Sequence, residues 1–185
     1  MTFRLYYRGQ LKPNGKREHK HAIRRALRKQ LADLAGRNPL KGWERCFGET
    51  AVSGWPHVRK EIDGFSFLPV VSSRLCLVAK LSILFLRPEE PGSIVASGGD
   101  IDNRLKTLFD ALRLPKPGEL TAADKPGQDE LPFWCLLEDD ALVVEVSVQT
   151  DRLLDATDDA ETLLIITVTI GASQHITKNA GLASC

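Results

Sequence analysis

Apolar and polar residues alternate with a period of two at four places along the chain, the pattern of a strand with one face buried. Phe3, Leu5 and Tyr7 alternate with Arg4, Tyr6 and Arg8. Leu75, Leu77, Ala79, Leu81, Ile83 and Phe85 alternate with a second, mostly apolar set, which predicts a long, well-buried strand over 74–86. Leu142, Val144, Val146 and Val148 alternate with Val143, Glu145, Ser147 and Gln149. Leu164, Ile166, Val168 and Ile170 alternate with Ile165, Thr167 and Thr169. Two stretches carry the helical period instead. Ile23, Leu27, Leu31 and Leu34 predict a helix over 16–35, and Leu105, Leu108, Phe109 and Leu112 fall at i, i+3, i+4 and i+7.

Between these elements the pattern is less regular. Gly36, Pro39, Gly42, Gly48, Gly54 and Pro56 break up 36–69, where Trp43, Phe47, Trp55, Phe65 and Phe67 predict apolar anchors on a short helix or hairpin. Trp43 and Trp55 could stack on unpaired bases, although packing in a core or interface is the commoner use of tryptophan. Four prolines and two glycines in 113–132 predict an exposed insertion, Phe133–Leu137 restarts ordered structure, and the tail from Gly171 is expected to fray. The order of elements predicts an α+β fold, with one mixed sheet covered by helices, in a single domain spanning 1–185.

Composition adds one asymmetry. The chain carries 26% charged residues and a net charge of +1. Residues 1–60, however, hold 15 Lys and Arg against 4 Asp and Glu, while 61–185 hold 10 against 20. Nucleic acid on the basic side would explain that split, and so would pairing of the two halves with each other or contacts between subunits. The basic surplus is concentrated on the first helix, in Arg17, Lys20, Arg24, Arg25, Arg28 and Lys29. Phosphate binding is one use of such a face and simple solvation is the other. His19 and His21 belong to the same basic run and are expected at the surface. The acids of 151–161 are expected to be solvated. Cys46, Cys76, Cys135 and Cys185 show no metal-ligand spacing, and no apolar run is long enough for a membrane helix. The first residues lack a signal-peptide pattern, so a cytoplasmic location is expected.

The chemistry-bearing stretch is Gly98-Gly99-Asp100-Ile101-Asp102-Asn103-Arg104-Leu105-Lys106, which leads into Phe109-Asp110-Ala111-Leu112, with Glu138-Asp139-Asp140 downstream. Two aspartates one residue apart at a helix entrance repel each other unless a cation neutralises them. Lys106 lies one turn after Asp102 on the same face. Taken alone, either aspartate is an ordinary helix cap.

The two blocks together, Asp-Ile-Asp-Asn…Leu-Lys…Phe-Asp-Ala-Leu and then Asp-Asp before a strand, resemble the RusA family of Holliday-junction resolvases over roughly Asp100 to Gln149. These are dimeric, magnesium-dependent endonucleases that nick four-way DNA junctions symmetrically. The resemblance implies a RusA-like α+β fold and a homodimer acting on branched DNA. It also implies Mg²⁺, with Mn²⁺ as a substitute, held by Asp100, Asp102 and Asp140, with Asp139 in reserve as ligand or cap. Lys106 matches the family's essential lysine, while Asn103 and Asp110 match supporting positions. Two features depart from the family pattern: Gly98 and Gly99 stand where some relatives carry basic residues, and the 113–132 segment is longer. The alternatives are a RusA-like module that binds branched DNA or a protein without cutting, and an acidic cluster that is only a structural calcium-type site or a capped helix.

Overall fold

Each alternating stretch forms a strand, three of them with the buried face their pattern predicts, and the register of those strands positions everything else. The computed structural model describes residues 1–90 and 101–182. Strand β1 (Thr2–Gln10) pairs antiparallel with β7 (Glu161–Ala172), and β7 pairs antiparallel with β4 (Leu77–Arg87). On the far side of β4 lies β6 (Val143–Arg152), parallel to it, which gives a four-stranded sheet in the order β1-β7-β4-β6. Leu77, Ala79, Leu81, Ile83 and Phe85 are fully buried, as their period demands, whereas Lys80 and Ser82 on the opposite face are exposed.

The α+β class is as expected, but there are two sheets rather than one. A second sheet has the order β2-β3-β5: β2 (Lys60–Ile62) and β3 (Phe65–Val71) form a hairpin, and β5 (Phe133–Leu137) lies parallel to β3. Helix α1 (Arg17–Ala35) buries Ile23, Leu27 and Leu31 and packs on β5, on β1 and on helix α3 (Ile101–Leu112). The short α2 (Glu44–Phe47) sits in the irregular region. There Trp43 meets Trp55 edge-on at 6.0 Å and Phe47 packs on Trp134, so the aromatic anchors serve the core.

Four expectations need correction. The 113–132 segment is an exposed insertion only in part. Leu114 and Leu120 join Phe67, Phe133 and Cys135 in a small second core, and Asp124 caps its own turn through Thr121. The tail does not fray within the described residues. Leu182 is fully buried, its carbonyl accepts from the N-terminal amine of Met1, and buried Asn179 donates to Leu75. Within β6, Val144 and Val146 are exposed rather than buried. The register slips at Val144, and β6 is an edge strand, so Leu142, Val143 and Val148 make its contacts with the core. His21 is buried and stacks on Phe133 at 5.6 Å, and burial followed by the nearby Arg24 charge pushes its pKa down.

The charge asymmetry is answered in part by pairing between the two halves. Arg8 pairs with Asp155 and Glu161, Lys20 with Asp110, Arg25 and Arg28 with Glu130, and Lys60 with Glu138. The 151–161 acids are therefore not merely solvated. Hydrogen bonds from Arg8, then from the Thr157 backbone, hold the Glu161 carboxyl at about 2, below its ordinary value of 4.5. A carboxyl depressed by folding contributes stability that is complete above its unfolded pKa and is lost as pH falls through the folded value. Glu161→Gln is therefore expected to flatten the acid side of a melting-temperature profile between pH 4.5 and about 2. Superimposable acid limbs for the two proteins would remove this reading. None of the described helices is long and apolar enough to cross a membrane.

Candidate active site

Helix α3 carries two of the expected site residues and is anchored by its buried face. Thr107, Leu108, Ala111 and Leu112 are buried, while Asp102 and Lys106, one turn apart, are exposed. Leu105 and Phe109 lie at the margin of the core, so the buried stripe is turned slightly from the one the apolar spacing predicts. Two long-range attachments fix the helix in place. At its C-terminal half, the Asp110 carboxylate takes Lys20 of α1 on one oxygen at 2.6 Å and Arg113 on the other at 2.7 Å. Burial works to raise the Asp110 pKa, but the Lys20 and Arg113 bonds outweigh it and leave it below the ordinary value. At its N-terminal half, the loop between β1 and α1 docks on it: the Gly15 amide donates to Thr107 Oγ1 at 2.8 Å and the Asn14 amide to the Asn103 carbonyl at 3.4 Å.

The second acidic block lies in the turn that opens β6. Glu138 is fully occupied: one of its oxygens accepts from the Ser72 and Ser73 hydroxyls and the Ser73 amide, and the other pairs with Lys60 at 3.0 Å. Burial pushes the Glu138 pKa up, the bonds from Ser72 and Lys60 pull it down, and the bonds prevail. Asp139 caps the 3-10 turn Asp140–Leu142 by accepting from the Ala141 amide at 2.9 Å, which is the capping role weighed for it from sequence. Asp140 is exposed. The turn packs against α3, and a cleft of about 310 Å³ opens beside it between Lys60, Leu114, Lys116 and Asp139.

The two motif blocks are thus brought onto neighbouring elements. Among the described residues, the side chains of Asp102, Lys106 and Asp140 make no hydrogen bond or ion pair, although a dozen ion pairs form elsewhere. Asp100, with Gly98 and Gly99, lies outside the described residues. Among those described, no three Asp, Glu, His or Cys side chains form a metal-holding group. The donors available fit a hard cation in kind, being exposed and unpaired carboxylate oxygens.

The basic face of α1 is different from what its sequence suggests. Arg24 is buried and donates to the Arg113 and Asp110 carbonyls at 3.1 and 2.7 Å, so it is not a phosphate ligand. Arg25 reaches Glu130 and the carbonyls of Asp124 and Lys125; Arg28 reaches Glu130 and the Asp129 carbonyl; Lys20 holds Asp110. Arg17 pairs locally with Glu18, and Lys29 is exposed. Four of the six cations assigned to phosphate therefore hold the protein together. The loop 11–16 has no function assigned from sequence, since a Lys-Pro-Asn-Gly stretch reads as a turn. Its attachment to α3 is a contact between residues some ninety positions apart, which no local pattern reveals. No protein-family model matches the chain, and no curated protein matches it either.

Proposed function

We propose that this chain is a cytoplasmic, divalent-metal-dependent endonuclease that nicks four-way junctions or related branched DNA. The observation that carries the reading is where charge is left unpaired. Asp102 and Lys106 on α3, and Asp140 on the turn packed against that helix, face solvent without partners among the described residues. Their counterparts Glu138 and Asp110, in the same two motif blocks, are consumed by structural bonds. The residue pattern supports the same reading through its resemblance to RusA resolvases.

In this reading Asp100, Asp102 and Asp140, with Asp139 in reserve, would hold Mg²⁺ or Mn²⁺, which supplies an activated water and relief of charge on the phosphate. Lys106, as a compact ammonium one turn from Asp102, would stabilise charge developing on the phosphoryl oxygens. Paired nicks require two such sites, hence a twofold homodimer. The protein incubated with Mg²⁺ and a labelled synthetic four-way junction is expected to give symmetric paired nicks. No cleavage with Mg²⁺ or Mn²⁺ at any salt concentration would overturn the proposal. A second reading is a module that binds branched DNA or a protein partner without cutting. That reading predicts junction binding with no nicks under every metal.

A further inference from the structure

We infer that the loop 11–16, rather than the outer face of α1, grips the DNA backbone beside the candidate site, with Lys12 and Lys16 as its two phosphate ligands. The inference rests on the branched-DNA reading above and names the element that positions that substrate.

The loop is held to α3 at both of the helix positions that matter. Asn14 bonds to Asn103, the residue after Asp102, and Gly15 bonds to Thr107, the residue after Lys106. The Arg104 guanidinium of α3 also donates to the Leu11 carbonyl. The fit at Gly15 is close enough to require glycine. A Cβ there would lie 2.7 Å from Thr107 Cγ2 and 2.8 Å from His19 Cδ2, distances that real Cβ atoms essentially never show. His19 closes the loop from the other side, its Nε2 accepting from the Lys12 amide at 3.2 Å. An imidazole that accepts is neutral, and burial together with the Lys12 charge pushes the His19 pKa down and keeps it so. The loop is therefore a fixed platform.

Its cations are also unpaired. Lys12 and Lys16 are exposed and make no side-chain bond or ion pair among the described residues, whereas Lys20, Arg24, Arg25 and Arg28 are occupied within the chain. Two unpaired ammonium groups on a platform whose anchors flank Asp102 and Lys106 suit a polyanion of regular charge spacing. An extended phosphodiester backbone is that polyanion, and each phosphate neutralised by a lysine releases counterions and steepens the salt dependence of binding.

The test measures binding of a labelled four-way junction by fluorescence anisotropy in EDTA across a salt series, so that no cleavage intervenes. Lys12→Ala/Lys16→Ala is expected to reduce the magnitude of the slope of log affinity against log salt by about 2, about one per lost phosphate contact. Lys29→Ala and Arg28→Ala are expected to leave it unchanged. Gly15→Ala keeps both lysines but pushes the loop off α3, and is expected to weaken binding with the melting temperature recorded alongside. If the unsubstituted protein binds the junction and the double variant keeps its slope, the loop assignment is overturned while the branched-DNA reading stands. A slope lost in Lys29→Ala instead would return the role to α1. If the unsubstituted protein binds no branched DNA, both fall together.

Discussion

Asp102→Asn and Asp140→Asn are each expected to abolish Mg²⁺-dependent nicking of a four-way junction while leaving the fold as stable as before. The substitution keeps the shape of the side chain and removes the charge that a hard cation requires. Withdrawing one preorganised electrostatic contributor costs about 10²–10³ in rate in well-studied sites, so a loss of at least about 10²-fold is expected here. Lys106→Met should fall in the same range, because no other ammonium is available one turn from Asp102 on α3. Stability should change by no more than about 0.5 kcal/mol, since these side chains are exposed and bonded to nothing among the described residues. That combination is the discriminating result. If these acids were helix caps or structural pairs, the variants would melt earlier and activity would track the folded fraction. Full nicking by Asp140→Asn would remove the second motif block from the chemistry and leave the proposed site without a ligand from β6's turn.

The elements legible in sequence are those whose burial is decided locally. β1, β4, β7, α1 and α3 each carry an apolar period on their own residues, and each forms within a few positions of its pattern. The second sheet was not legible for a physical reason. Its centre, Phe65–Val71, is buried on nearly every residue and contains Pro69, so it has no period of two. Its partner β5 lies more than sixty residues away, with Phe67 opposite Phe133. The basic face of α1 misled in a related way. Arg24, Arg25 and Arg28 read as free cations because their partners, Asp110 to Glu130, come about a hundred residues later. One sequence signal has part of its answer in the fold: of two halves of nearly equal and opposite charge, Arg8, Lys20, Arg25, Arg28 and Lys60 of the first pair with acids of the second. For the candidate site, the spacing of the carboxylates and Lys106 was legible. Which acids stay unpaired and which become struts was not, because Glu138 and Asp139 differ only in what folding brings beside them.

Asp110→Ala is expected to lower stability by about 3 kcal/mol, the range for breaking one side of a largely buried ion pair. For a chain of this length that is a melting temperature lower by about 10 °C. The carboxylate is only 15% exposed and neutralises two cations at once, Lys20 from α1 and Arg113 from the segment after α3. Arg113, at 4% exposure, has little access to water and would keep only Glu119 and the Leu114 carbonyl. Leaving a buried guanidinium undercompensated is the costly part. Lys20→Met should cost far less, because Lys20 is the more exposed partner and Asp110 would retain Arg113. The pH dependence has a definite sign: the folded pKa of Asp110 is depressed, so its contribution is complete above the unfolded pKa and fades as pH falls below it. Urea unfolding at pH 7 and again in acid is the measurement, and the gap between wild type and Asp110→Ala should narrow in acid. A gap within about 0.5 kcal/mol at pH 7 would show that Asp110 is no strut. The same helix would then hold two kinds of aspartate with no physical distinction between them, and the contrast between Asp102, unpaired and poised for an external cation, and Asp110, already neutralised from within, would no longer support the proposed chemistry.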